Sequence, residues 1–296
     1  MENADQLRID SHKLIFHPHR VAQWLKGQAI SPLYVEMSPA GSCNHRCTFC
    51  AKDYMEYLPR YLNTGILLER LAELGTMGVK SIMYAGEGEP LLHPDIALII
   101  KHTRSVGIDV AMTTNGVLLF EELARKILPH MSWIKFSIDA GTPETYSAIH
   151  RTKPVDFEHV LNNLGSAARL VSENGWKCTV GAQALLLPDN AAEMELLAGY
   201  CKDAGARYLV IKPYSQHHKS HNSTHANIDY SPHMDLGERL ERFNNDNFTV
   251  IFRAGTFAKL QRSGRGYERC LALPFWSYID ASGDVWGCSS HMGDER

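Results

Sequence analysis

The sequence predicts an α/β protein: parallel strands alternating with helices, in a sheet that is open or partly closed into a (β/α)6 barrel, followed by a small C-terminal β-hairpin. Three observations carry this. Six short β-branched or apolar runs occur at LYVEM (33–37), SIMYA (81–85), DVAMTT (109–114), WIKFSI (133–138), TVGAQALL (179–186) and YLVIKP (208–213). Helix-like stretches lie between them, so the strands must be joined by crossovers and run parallel. Four polar motifs follow strands directly, and sites in parallel sheets gather at the carboxyl ends of strands.

Taken in order, HPHRVAQWLKG (17–27) reads as a helix packed against the sheet, within an N-terminal segment (1–32) too short to fold alone. Residues 33–233 form the barrel. Its helices are NTGILLERLAELGTMG, HPDIALIIKHTRSVG, FEELARKILPHM, FEHVLNNLGSAARLVSENG and NAAEMELLAGYCKDAG, with Gly78, Gly107, Gly175 and Gly205 placed for left-handed C-terminal turns. Asp189 or Asn190 is positioned to cap the last of them, whose apolar face carries Met194, Leu197 and Cys201. Residues 234–296 form an extension in which FWSYI and DVWGC read as two strands joined by an ASGD turn.

Composition narrows the function. The 296 residues are 44% hydrophobic, enough for a sizeable core, and a net charge of −3 gives no reason to expect a nucleic-acid partner. No run of 18 apolar residues exists, and the polar start MENADQLRIDSHK lacks a signal peptide's apolar segment, so a cytoplasmic location without membrane contact is expected. Seven cysteines in that setting favour metal or redox chemistry over disulfides.

Three of the seven, Cys43, Cys47 and Cys50, fall within CNHRCTFC after the first strand. Three thiolates leave a structural zinc shell unfinished, whereas a 4Fe–4S cluster held at three irons keeps one iron open. AGEGEPLLHP follows the second strand, TTNG ends the third and SIDAGTPE follows the fourth, so all four segments face one mouth. A glycine there lets backbone approach a ligand, and a carboxylate such as Glu89 pairs with an ammonium.

The C-x3-C-x2-C loop, with Phe49 before its last cysteine, resembles the signature of the radical S-adenosylmethionine (SAM) superfamily. The resemblance spans roughly 33–214 and implies a partial (β/α)6 barrel whose cluster chelates SAM through its amine and carboxylate. Reduction then yields a 5′-deoxyadenosyl radical that takes hydrogen from a substrate carbon. It implies SAM contacts from Gly88, Glu89 and Pro90 (with Glu87 as a substitute), and from Asn115, Ser137, Asp139, Arg151 and Gln183. It also implies an electron donor such as flavodoxin or ferredoxin.

GDVWGC (283–288) resembles the G-x4-C element of the SPASM/twitch extension, which would make Cys270 and Cys288 ligands of an auxiliary iron–sulfur cluster. No cysteine follows Cys288, so that site is expected to be incomplete or the sequence shortened. Cys178 and Cys201 read as buried small hydrophobes. The histidine-rich KPYSQHHKSHNSTHANIDYSPHM reads as a mobile or substrate-covering loop, with Lys212, Tyr214 and Gln216 as candidate substrate contacts. The expected substrate is a small polar metabolite of sugar, nucleoside or amino-sugar type, in natural-product or cofactor biosynthesis. A peptide-modifying maturase and a non-catalytic zinc-binding module are the alternatives. The outcome after hydrogen abstraction (dehydrogenation, epimerisation, decarboxylation or carbon–carbon bond formation) and the oligomeric state are not legible.

Overall fold

A computed structural model describes residues 13–260, 264 and 267–294; the first twelve residues of the N-terminal segment and the last two of the extension lie outside the described residues. Six strands fall where the apolar runs place them: β1 (Tyr34–Met37), β2 (Ser81–Tyr84), β3 (Asp109–Thr114), β4 (Trp133–Ser137), β5 (Thr179–Leu186) and β6 (Tyr208–Pro213). Each pairs in parallel with the next, and the connecting helices lie outside the sheet. The four glycines expected to end helices do so with φ of 82°, 82°, 62° and 80°, values a side chain rarely tolerates.

Three more strands complete the sheet. β7 (Thr249–Phe252), which the sequence reading does not identify, extends the far edge in parallel with β6. The C-terminal hairpin consists of β8 (Trp276–Ile279) and β9 (Val285–Trp286), joined antiparallel. It joins the barrel sheet: β8 runs parallel to β1, with Tyr34 opposite Trp276 and Met37 opposite Ile279. The order is therefore β7-β6-β5-β4-β3-β2-β1-β8-β9, an open sheet with β1 in its interior.

Strand alternation separates two faces. Val35, Met37, Ile82, Tyr84, Val110, Met112, Ile134 and Phe136 belong to one apolar core shared with the helices. The alternate residues Glu36, Met83, Thr113, Lys135, Ser137, Gln183 and Lys212 turn inward onto a single cavity of about 410 Å³. The helix Pro18–Leu25 packs more loosely than expected. None of its residues is buried; it meets the remainder through Trp24, edge-on to Phe275 with ring centroids 5.5 Å apart, and through Arg20, which donates to Ser31 O and Met77 O. Asn190 does not cap its helix; a single 3-10 turn (Ala191–Glu193) intervenes, and the Asn190 side chain folds back onto Leu187 N, Asp139 O and Leu185 O.

Candidate active site

The loop after β1 carries the three thiols and is stapled from both sides. Arg46 N donates to His150 O (3.1 Å) and Thr48 N to Ile149 O (2.7 Å), which fastens the loop to the end of the helix Pro143–His150. Arg46 Nη1 donates to Cys43 O (2.6 Å) and His45 O (2.7 Å), and its guanidinium lies 4.2 Å from the Tyr57 ring centroid. The histidine-rich loop after β6 closes the other side. Asp53 accepts from His221 N and Asn222 N, Ser220 Oγ donates to Cys50 O, and Thr48 Oγ1 lies 3.1 Å from His225 Nε2. The loop covers the thiol segment, and these bonds hold it there.

All three cysteines are free. Burial pushes the Cys43 thiol up to about 12, with Glu89 adding to the effect. Burial raises Cys47 well above its ordinary range, reinforced by charge on Cys43 and Cys50, and burial also raises Cys50. Thiols that raise one another in this way hold their protons until a cation takes their place. His150 Nδ1 lies 3.2 Å from Cys47 Sγ, and the ligating atoms of His45, Cys47 and His150 fall within 4.8 Å of one another. Around them, His45 Nδ1 and Tyr146 Oη are buried without hydrogen-bond partners, while His150 Nε2 faces Asp139 Oδ2 at 3.4 Å and His45 Nε2 faces Asp156 Oδ2 at 3.7 Å. Burial lowers His45 to about 4 and raises Asp139 to about 7. A soft, three-thiol donor set with unsatisfied polar neighbours fits an iron–sulfur cluster bound at three irons.

The loop after β2 rests on the thiol loop. Glu89 N donates to Ser42 O (2.8 Å), and a Cβ at Gly88 would come within 2.2 Å of Ser42 O and 2.4 Å of Ala40 O. Only glycine allows that approach. The buried Glu89 carboxylate accepts from Thr114 Oγ1 (2.6 Å), Leu91 N (3.0 Å) and Asn115 N (2.8 Å), which ties the end of β3 to this loop. Pro90 starts the single turn that follows. Glu87 faces away, towards the hairpin: its Oε1 accepts from Arg60 Nε and Ala281 N, and its Oε2 has no hydrogen-bond partner.

The residues expected to act together divide into two groups. Cys43, Cys47, Gly88, Glu89, Asn115, Ser137, Gln183 and Lys212 line the cavity. Asp139 stands behind that lining, because its Oδ1 accepts from Leu185 N (2.6 Å) and fixes the end of β5. Arg151 is exposed and left-handed (φ 48°), ending its helix in a groove that it shares with Arg46, Cys47, Asp53 and Tyr57, so that Cys47 lies between this groove and the cavity. Tyr214 is buried and donates its hydroxyl to Gln216 Oε1 (2.9 Å), so both residues build the covering loop. Sequence reading overlooks Glu36 and Lys135, although a charge at an inward position within an apolar strand is a legible signal. It also overlooks His45 and His150 beside the thiols. Cys178 and Cys201 are buried as expected. Cys270 is exposed and Cys288 half-buried, and among the described residues neither joins a group of metal-binding side chains.

Comparison with known proteins agrees with this geometry. The model of the Radical SAM superfamily matches residues 37–200, more than half of the chain. A GTP 3′,8-cyclase of Chlorobaculum tepidum is 30% identical over 186 residues, which cover 62% of this chain and 55% of that protein. The mycofactocin maturase MftC of Mycobacterium tuberculosis is 25% identical over 289 residues, covering 94% of this chain and 69% of the maturase. Among solved structures, Streptococcus suis SuiB bound to precursor peptide SuiA superposes with a TM-score of 0.71 at 19% identity, over 96% of this chain and 65% of that one. AdoMet-bound anSMEcpe gives 0.62 at 17% identity, over 89% and 76%. The chain thus spans little more than half the length of the cyclase and about two thirds of SuiB. These structural likenesses speak for the partial-barrel fold, and the match over residues 37–200 settles the family: this chain belongs to the radical SAM superfamily.

Proposed function

We propose that this protein is a SAM-cleaving enzyme in which Cys43, Cys47 and Cys50 hold the 4Fe–4S cluster that the family uses. One observation carries the reading: Cys43 and Cys47, the Glu89-organised loop and inward residues of β3 to β6 line one cavity, and Cys50 is held next to Cys47, its N donating to Cys47 O (3.1 Å). When bound, the cluster and SAM supply reductive cleavage to methionine and a 5′-deoxyadenosyl radical, with electrons from a flavodoxin- or ferredoxin-type donor. The chain's own residues bind, orient and exclude. Gly88 gives SAM room beside the thiol loop, and Glu89, with Pro90 behind it, presents a carboxylate fixed by three donors towards the ligand's ammonium. Asn115, Ser137 and Gln183 offer hydrogen-bonding groups for its ribose and carboxylate. Asp139 holds the Gln183 strand in place through Leu185 N, and Arg151 balances charge from the outer groove.

The substrate in this reading is a small polar molecule, supported by the charged interior of the cavity and the relatedness to a protein named as a GTP 3′,8-cyclase. A second reading, modification of a peptide, is favoured by the similarity to MftC along nearly the whole chain. Anaerobic reconstitution with iron and sulfide, followed by reduction in the presence of SAM, tests the shared chemistry. Wild type forms 5′-deoxyadenosine and Cys47→Ala forms none. A colourless protein that holds zinc and leaves SAM intact overturns the proposal.

A further inference from the structure

Within the cavity lies a layer of charge that the SAM-binding roles above do not use. Glu36 on β1, Lys135 on β4 and Lys212 on β6 all face inward. Ser137 pairs with Gln183 across β4 and β5, and Lys135 pairs with Gly181 one inward step lower, roughly 7 Å deeper along the strand. The absence of a side chain at Gly181 makes room for the Tyr208 ring, which a Cβ there would meet at 2.3 Å, so the cavity is closed beneath the lysines.

The charges in this layer are held apart. Among the described residues, neither Lys135 nor Lys212 has a hydrogen-bond partner, and no ion pair within 4.0 Å joins either to Glu36. The Lys135 Nζ lies 5.5 Å from the Trp133 ring centroid, and Lys212, Glu36 and Arg253 are close enough to act on it through charge. Burial and then Lys212 push Lys135 down to about 7, and burial lowers Lys212 as well. Burial raises Glu36, although nearby lysines oppose the shift. Buried charges of opposite sign ordinarily close onto one another, since leaving them apart costs desolvation without recovering the attraction. A gap between them, open to the radical-forming end of the barrel, is the arrangement expected of a site completed by a ligand.

We propose that Glu36, Lys135 and Lys212 form the substrate site, which seats a carboxylate or phosphate oxyanion between the two ammonium groups while Glu36 accepts from a hydroxyl or amino group of the same molecule. This deepens the SAM-cleaving reading and rests on it. The class of substrate is an anionic polar molecule, or an anionic side chain presented into the barrel, with its reactive carbon held between Lys135 and the thiols.

Calorimetric titration of the reconstituted holoprotein, saturated with SAM, tests the site without turnover. Pyrophosphate and succinate serve as separate probes, and the one that binds more tightly identifies phosphate or carboxylate as the group. Lys135→Met and Lys212→Met each weaken that binding by roughly tenfold or more, the value of a charge-assisted contact, and Lys135→Arg recovers part of the loss. Urea unfolding of each variant verifies that the fold is retained. The proposal is overturned if neither probe binds, if both methionine variants bind as wild type does, or if the probes bind only without SAM, since the lysines would then serve SAM's own carboxylate. Nucleoside formation by wild type is measured alongside. Probe binding without SAM cleavage sinks the enzymatic reading alone, and cleavage without probe binding sinks the substrate site alone.

Discussion

The two faces of the same strands follow opposite rules. On the outer face, Ile82, Ile134 and Phe136 have no exposure, and their packing against the helices supplies stability. One residue along each strand, the inner face holds Glu36, Lys135, Ser137, Gln183 and Lys212 around open space. Its thiol end also carries His45 Nδ1 and Tyr146 Oη, buried without hydrogen-bond partners. Burial on the outer face is favourable in itself, whereas burial on the inner face is a cost that a ligand offsets. The difference separates residues that hold the fold from residues that the fold holds ready.

Substitutions on each face should respond accordingly. The largest stability effect belongs to the outer face: Phe136→Ala removes a fully buried ring and should cost about 3–5 kcal/mol in urea unfolding. A loss under 1 kcal/mol would mean that the outer face does not dominate stability. Next comes Lys135→Met, a half-buried position on the inner face with the opposite outcome. Lys135 falls from 10.5 to about 7 on folding, through burial first and then Lys212, with Glu36 opposing and Arg253 assisting the shift. Between about pH 7 and 10.5 the unfolded chain therefore binds more protons at this site, and wild-type stability rises with pH across that window. Lys135→Met should flatten this rise and unfold at an equal or higher urea concentration at pH 7. A variant that is less stable at pH 7 and keeps the pH dependence would place Lys135 among the residues that hold the fold. The smallest effect is expected outside both faces. Glu121 is exposed and pairs with Arg125 one helical turn away, so Glu121→Gln should leave the urea midpoint unchanged within error.

Much of this was legible because it is local. The runs DVAMTT, TVGAQALL and YLVIKP mark their strands to the residue, and CNHRCTFC and GEGEP mark the two loops that meet at the thiols. What escaped reading is non-local. The pairing of Tyr34 with Trp276 depends on a partner at the other end of the sequence, and alternation within FWSYI states a face without naming a neighbour. The placement of Arg151 turns on one left-handed residue, which no spacing rule discloses.

The position of β1 between β2 and β8 also bears on the order in which the molecule forms. Seven strands and the thiol loop are synthesised before the hairpin, yet β1 remains an open edge until β8 arrives, and open edges invite wrong pairings. The same late segment supplies Ala281 N to Glu87, and Ser289 O and the Met292 sulfur to Lys52, two residues past Cys50. Contacts of such long sequence separation form slowly and late. The thiol loop is thus among the first functional parts made and among the last secured, so a nascent chain carries its three cysteines partly unguarded until the final strand docks.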